Sequence, residues 1–170
     1  MKRIAIIILT IFALPLASLG QKFAFVDSEY ILSRIPTFRA AQEQLDRIAT
    51  QYETEIEEQY KQLEKMFQDF QSEKVLLTEE MRRKRENDMA EREKTVKELQ
   101  MRYFGRDGML FKKREELVKP IQDQVFNAVK EIATEGGYAV IFDAAGSANM
   151  LYTNPRYDKS DEVLQKLGYN

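Results

Sequence analysis

Apolar side chains recur at spacings of three and four residues in two long stretches of the chain. Glu, Gln, Lys and Arg fill most of the positions between them, which is typical of an amphipathic helix with a coiled-coil-like seam. The first stripe comprises Leu45, Ile48, Tyr52, Ile56, Tyr60, Leu63, Phe67 and Phe70. The second comprises Met81, Met89, Val96, Leu99, Tyr103, Leu110 and Leu117.

A short interval at 71–77 separates the two stripes. Thr78, followed by Glu79 and Glu80, has the form of a new helix N-terminus. As a helix, each stretch of about forty residues would extend about 60 Å. We therefore predict an antiparallel helical hairpin over residues 37–119 with its tip near Leu76–Thr78. The alternative, one uninterrupted helix, leaves both stripes without a partner in the chain.

Short apolar runs flank the predicted hairpin. Lys22–Asp27 predicts a strand, after which Asp27 or Ser28 can cap a brief helix. On the return side, Pro120 starts or kinks a further helix, which Gly136–Gly137 ends. The remaining predicted elements are strands at 138–142 and 149–152 and a terminal helix at 160–167, capped by Asp158 or Ser160.

The N-terminal segment has the pattern of a cleaved secretory leader. Lys2 and Arg3 precede an almost wholly apolar run, and Ser18 and Gly20 supply the small residues that a signal peptidase requires. We predict a signal peptide at 1–20, cleaved after Gly20. The alternative is a retained anchor helix, but an apolar run of about 13–16 residues is shorter than the run of about 20 that spans a bilayer.

Composition removes several classes of function. The 170 residues include no Cys and no His, which excludes disulfide frameworks, Cys nucleophiles and His-based triads. The formal net charge of −2 becomes −4 without Lys2 and Arg3, so no nucleic-acid partner is expected. Most carboxylates lie in solvated helical runs, and Asp27 and Asp143 end strands, where an Asp commonly caps a turn. We predict no enzyme activity, no metal site and no cofactor.

The predicted strands form a body too small to be stable alone. A few short strands make a marginal sheet in water, and each hairpin helix buries only one stripe. We therefore predict an α+β protein that oligomerises. Residues 21–36 and 120–170 would form its β-rich body, and residues 37–119 the helical arm inserted between the strands.

The order of these elements resembles the Skp/OmpH family of periplasmic chaperones of Gram-negative bacteria. The resemblance is carried by the charged hairpin together with Phe25–Asp27, Leu117–Ile121, Gly137–Asp143, Leu151–Tyr152, Asp158–Leu164 and Leu167. It implies a homotrimer in which strands form a small β-barrel-type body and the hairpins hang as tentacles. It also implies an ATP-independent periplasmic holdase that binds unfolded outer-membrane proteins between the arms and prevents their aggregation. Better-known members are strongly basic, whereas this chain is mildly acidic.

Apolar side chains beside the main seam are the candidate client-binding residues. Met101, Phe104 and Phe111 would share one face of a continuous helix, about a third of a turn from the seam. Met66 and Phe70 lie closer to the seam. A soft surface that contains Met suits the binding of varied unfolded segments. The alternative is that these residues widen the packing face of the hairpin.

Positive charge is concentrated beside the predicted tip, in the run Arg82, Arg83, Lys84 and Arg85. One interpretation is a solvated helix face. The other is peripheral contact with anionic membrane lipid or with lipopolysaccharide headgroups.

Two glycines, Gly105 and Gly108, interrupt the apolar pattern before it resumes at Leu110. Because the pattern resumes, we place both inside the helix and neither at a helix end. They are a candidate hinge that would widen the cavity for larger clients, and replacement of both by Ala is expected to stabilise the helix by about 1–2 kcal/mol. The alternative is that they permit close approach of the outgoing helix.

The sequence is also compatible with a purely structural function instead of a chaperone function. An exported coiled-coil scaffold, or an envelope adaptor, would use the same hairpin without a client. Either tolerates a narrow and rigid seam, and neither needs Met and Phe beside it. Suppression of the aggregation of a denatured outer-membrane barrel protein distinguishes the two classes.

Overall fold

The computed structural model describes residues 21–146 and 150–169. The predicted signal peptide therefore lies outside the described residues. The described chain is mostly helical, with a short 3-10 helix at Pro155–Tyr157. In chain order its elements are β1 (Lys22–Val26), α1 (Ser28–Arg34), α2 (Pro36–Glu73), α3 (Glu79–Phe104), α4 (Met109–Gly136), β2 (Tyr138–Asp143) and α5 (Ser160–Lys166).

The predicted helical hairpin is confirmed, with α2 running out along the arm and α3 returning beside it. Ile56 and Leu63 of α2 and Met89 and Val96 of α3 are buried, as the spacing of apolar residues predicts. Most of the remaining surface of both helices is polar and solvated, because a seam between two helices covers one stripe of each.

The tip of the arm lies at 74–78, between the end of α2 and the start of α3. This agrees closely with the predicted tip. Thr78 caps α3 as predicted, since its Oγ1 accepts a hydrogen bond from the backbone N–H of Met81 at 3.3 Å. Glu79 and Glu80 in the first turn add a favourable interaction with the helix dipole.

The returning half of the arm consists of two helices. α3 ends at Phe104, and the N–H of Gly105 donates to the carbonyl of Met101 at 2.8 Å; α4 begins only at Met109. The prediction that both glycines lie inside a helix is therefore wrong. Gly105 is the C-cap of α3 and Gly108 is the N-cap of α4. Apolar spacing continues across this break, so the spacing alone does not reveal the local turn of the backbone.

α4 continues through Pro120 to Gly136, so the suggestion that a further helix starts at this proline is wrong. Proline has no N–H for the helical hydrogen bond, which costs a helix interior about 3 kcal/mol relative to Ala. Val118 and Ile121 on either side of Pro120 are buried in the body, and their packing offsets that cost. The predicted boundary between arm and body at 119/120 falls inside this one helix.

The two strands pair in parallel, with Ala24 opposite Ile141 and Phe25 opposite Phe142. Side chains alternate across a strand, so Ala24 and Val26 are buried on the inner face of the sheet. Val26 belongs to a single hydrophobic core to which α1, α2, α4 and α5 all contribute. Its principal buried members are Ile31, Ile35, Leu45, Ile121, Val125, Ile132, Val163 and Leu164.

A hydrogen-bonded junction holds the terminal helix against the second edge of β1. The N–H of Lys159 donates to the carbonyl of Phe25 at 2.9 Å, and the N–H of Asp27 donates to Ser160 Oγ at 2.8 Å. The backbone N–H and the hydroxyl of Ser160 donate to Asp158 Oδ1 at 2.8 and 2.6 Å. Asp158, one of the two predicted capping residues, thus satisfies the first turn of α5, although Lys159 occupies the N-cap position.

Two further predicted helix ends are confirmed. Asp27 caps α1, because its Oδ1 accepts from the N–H of Tyr30 at 2.9 Å. α4 ends at Gly136, and Gly137 follows with a left-handed φ of 64°, a conformation that glycine adopts without steric cost.

The predicted strand at 149–152 is not formed in the part that the structure describes. Asn149 lies outside the described residues, and residues 150–152 are irregular, with Leu151 99% and Tyr152 80% exposed. A strand needs a neighbouring edge with free backbone groups. β1 cannot provide one, because β2 occupies one of its edges and the junction at Asp158 occupies the other; residues 150–152 do not pair with the outer edge of β2 either.

Candidate functional site

The predicted client-binding residues of the returning half lie on both sides of the helix break. Met101 is 71% exposed and Phe104 is 39% exposed near the end of α3, and Phe111 is 44% exposed in the first turn of α4. Because residues 105–108 are not helical, the three side chains do not share one continuous helix face. What they share is exposure next to the same break.

The two candidates on the outgoing helix lie in a different environment. Phe70 is buried in a small cluster with Leu63 and Met89, and Met66 packs against this cluster with part of its surface exposed. The structure therefore places Phe70 in the packing face of the hairpin. Met66 retains some accessible surface beside the seam.

Three aromatic rings join α2 and α3 directly before the break. Tyr52 and Tyr103 stack with centroids 4.0 Å apart, and Phe104 meets Tyr52 edge-on at 6.3 Å. The Tyr103 hydroxyl donates to Glu55 Oε2 at 2.7 Å, and this hydrogen bond raises the pKa of Tyr103. Phe104 therefore packs against the outgoing helix and is also partly exposed.

The glycines of the break are needed for space and not for unusual torsion angles. Both have negative φ, −62° at Gly105 and −70° at Gly108, which any residue adopts. A Cβ at Gly105 would lie 2.3 Å from the carbonyl oxygen of Met101, and one at Gly108 would lie 2.7 Å from that of Tyr103. Both contacts are with backbone, which cannot swing aside as a side chain can.

The basic run lies at the start of α3, next to the tip, and its side chains have acidic neighbours. Glu79 lies 4.0 Å from Arg82 and 3.7 Å from Arg83, and Glu73 lies 3.5 Å from Arg85. These pairs are largely exposed, where ion pairs contribute little and exchange readily. These ion pairs therefore hold the side chains of the run only weakly.

Two exposed aliphatic residues lie in the turn itself, and their pattern in the sequence did not lead us to predict a functional surface there. Val75 is 86% and Leu76 is 85% exposed, at the far end of the arm. The backbone beside them is fixed by Arg82, whose Nε donates to the carbonyl of Lys74 at 2.9 Å. The sequence does contain a sign of this exposure: the two aliphatic residues stand between the two helical patterns and belong to neither apolar stripe.

The outer face of the sheet is a second exposed apolar surface. Phe23, Val140 and Phe142 are each 42–49% exposed there, and the Phe23 and Phe142 rings stack at 6.4 Å. A groove of about 690 Å³ lies beside them, with Tyr152 and Tyr157 in its wall. The unbroken apolar run of β2 signals this surface, because alternation then makes both faces of the strand apolar.

The strand-ending carboxylates have structural partners. Burial opposes ionisation of Asp143, but hydrogen bonds from Ser28 and from the N–H of Ala145 outweigh it and lower the pKa of the carboxyl group. In residues 21–146 and 150–169, no cluster of three or more acidic side chains is arranged to hold a metal ion. No helix in the same residues is both long enough and apolar enough to span a membrane.

Comparisons with known proteins identify the family of this chain. The family model described as outer membrane protein (OmpH-like) matches residues 22–167. Chaperone protein Skp of Yersinia enterocolitica is 27% identical over 150 residues, which cover 87% of each chain. The crystal structure of a proposed outer membrane chaperone (OmpH-like) from Caulobacter crescentus CB15 has a TM-score of 0.66 at 12% identity and covers 86% of this chain and 83% of that one.

The chain belongs to the OmpH-like family, as the resemblance predicted. The family match spans the body and the arm together, so it includes both exposed apolar surfaces. The solved structure, at its low identity, supports the fold alone.

We expect Gly105→Ala to lower the free energy of unfolding by about 1–3 kcal/mol, because its Cβ would overlap the backbone of Met101. This is the reverse of the stabilisation expected for a glycine inside a helix. Urea denaturation followed by circular dichroism at one protein concentration measures the change. The matched control is Arg106→Ala, an exposed position in the same break, which should change stability by less than about 0.5 kcal/mol. Equal stability of the two variants would contradict the steric role of Gly105.

Proposed function

We propose that this protein is an ATP-independent holdase of the periplasm, which binds unfolded outer-membrane proteins between its helical arms and prevents their aggregation. The observation that carries the proposal is the exposure of Met101, Phe104 and Phe111 around the break in the arm. Membership of the OmpH-like family supports it. On this proposal the leader directs export and is cleaved after Gly20.

The proposed surface suits clients that share no sequence. Met101 is unbranched and polarisable, so it adapts to differently shaped partners, and the phenylalanines offer large apolar areas. Because the break divides the surface, Phe111 can move relative to Met101 when the arm bends. Binding is by burial of apolar surface, so the proposal includes no enzymatic step, no ATP and no cofactor.

We further propose that the chain acts as a homotrimer held through its sheets. A two-stranded sheet with Phe23, Val140 and Phe142 exposed on its outer face is marginal in water, and a second copy would cover that face. Leu151 and Tyr152, which have no strand partner among residues 21–146 and 150–169, would then find one in a neighbour. The number three comes from the family resemblance.

Removal of the arm is expected to leave the oligomer intact. Tyr52 and Tyr103 stack across the arm, so residues 53–102 can be replaced by a short glycine-rich turn without displacing either ring. Multi-angle light scattering should report the same number of subunits for this variant and for the mature protein. A monomeric variant with native circular dichroism would place the assembly contacts in the arms instead.

The holdase proposal predicts that the protein keeps a denatured outer-membrane barrel protein soluble after dilution from urea. In the double variant Met101→Ser, Phe111→Ser, the concentration needed for half-maximal suppression of light scattering should rise about tenfold, because two large apolar contacts are lost. The double variant Val75→Ser, Leu76→Ser removes apolar side chains that are even more exposed, elsewhere on the arm, and should suppress scattering normally.

If the unmodified protein fails to suppress scattering, the coiled-coil scaffold or envelope adaptor becomes the better description, since neither requires a client. The same assay with small and large clients examines Gly105 and Gly108 as a hinge. We propose that the break lets the arms spread, so folded Gly105→Ala protein should lose capacity for large clients more than for small ones. Equal losses for both client sizes would contradict the hinge.

We propose that the arm tip makes peripheral contact with anionic membrane lipid. Arg82, Arg83, Lys84 and Arg85 supply positive charge beside the exposed Val75 and Leu76. Together they offer an apolar group for the lipid interface and cations for its headgroups.

The absence of Trp from the chain gives a direct test of lipid contact. In Leu76→Trp protein the single indole should shift its emission to the blue with vesicles of phosphatidylcholine and phosphatidylglycerol, and less in high salt. The matched control is Met101→Trp, an exposed position away from the tip, which should not shift. An equal shift with phosphatidylcholine alone, or none at all, contradicts the contact.

A further inference from the structure

We propose that the holdase prefers client segments in which an aromatic or aliphatic side chain is flanked by Lys or Arg. The inference rests on the proposed function and concerns one groove between α2 and α3. This acidic groove has a volume of about 420 Å³ and is lined by Glu53, Ile56, Glu57, Tyr60, Gln100 and Phe104.

The acidic groove contains aromatic surface that packing within the hairpin leaves exposed. Tyr60 is 40% and Phe104 is 39% exposed, and Ile56 lies buried between the two helices. The Tyr60 hydroxyl donates to Gln100 Oε1 at 3.4 Å, which links α2 to α3 across the groove. A client side chain inserted here would contact two rings, and an adjacent cation could lie over either ring face.

Carboxylates supply the charge of the groove. The hydrogen bond from Lys61 Nζ to Glu57, at 2.7 Å, lowers the pKa of Glu57, so this carboxylate is ionised at neutral pH. Both partners are about two-thirds exposed, and such an ion pair is weak enough for a client cation to compete with Lys61. Glu53 is exposed as well, and no ion pair engages it in the part of the chain that the structure describes.

The charge of the outgoing helix extends this preference beyond the groove. α2 has nine acidic and four basic residues, a net charge of −5, whereas α3 has seven acidic and eight basic residues, a net charge of +1. An unfolded segment that approaches α2 therefore meets a negative field, which attracts Lys and Arg and repels Asp and Glu. The charge selects among segments whose apolar residues would otherwise bind alike.

Three fluorescent peptides test the preference, each with the same spaced aromatic residues and with Lys, Ser or Glu at the flanking positions. Fluorescence anisotropy measures their binding to the full mature protein. At low salt we expect the Lys peptide to bind about tenfold more tightly than the Glu peptide, with the Ser peptide between them. In about 1 M salt, where the Debye length is about 3 Å, the difference should nearly vanish.

A pair of charge-matched variants locates the effect in the groove. Glu53→Gln, Glu57→Gln should reduce the advantage of the Lys peptide to about threefold or less. The control Glu43→Gln, Glu64→Gln removes two acidic residues from the same helix, outside the groove lining, and should leave the advantage nearly unchanged. Phe104→Ser should weaken all three peptides by a similar factor, because it removes the shared apolar contact.

Equal binding of the Lys and Glu peptides would overturn the inference, and equal effects of the two charge variants would overturn its assignment to the groove. If the barrel client is kept soluble but the peptides show no charge preference, the inference fails and the proposed function stands. If no peptide binds and the barrel client also aggregates, the proposed function fails and this inference with it.

Discussion

The apolar seam between α2 and the returning helices is the interaction on which the rest of the molecule depends. Two long helices with one apolar stripe each can bury both stripes only by lying side by side. Such a seam covers a narrow band, so apolar side chains of the arm that lie outside it stay at least partly in solvent. Phe70, inside the band, is buried, whereas Met101, outside it, is largely exposed. The seam therefore stabilises the arm and leaves apolar side chains exposed beside it.

The break at 105–108 determines where the arm can bend. α2 is continuous along the whole arm, while its partner is two helices joined at Gly105 and Gly108. The stack of Tyr52 on Tyr103, with the hydrogen bond from Tyr103 to Glu55, ties the halves together immediately on the tip side of the break. Any bend would therefore be concentrated at the glycines, where no regular backbone hydrogen-bond ladder resists it.

Charge is distributed unevenly over the surface of the molecule. Positive residues gather at the tip, where Val75 and Leu76 are exposed, and carboxylates dominate the outgoing helix along the acidic groove. The sheet face has neither pattern, since Phe23, Val140 and Phe142 form an apolar surface suited to another copy of the chain. Lipid, client and subunit contacts are thus proposed for three separate surfaces.

The sequence by itself determined the features that arise from contacts between near neighbours in the chain. The caps at Asp27 and Thr78, the glycine end at Gly137 and the two apolar stripes were predictable because each involves residues within about one helical turn of one another. Only the tertiary structure decided the break at 105–108, the absence of a strand at 150–152 and the acidic groove. The strand needs a neighbouring edge and the groove needs an opposing helix, both of which a distant segment brings. The break depends on how closely the carbonyls of Met101 and Tyr103 approach the two glycines in the folded backbone. Spacing along a chain does not contain that information.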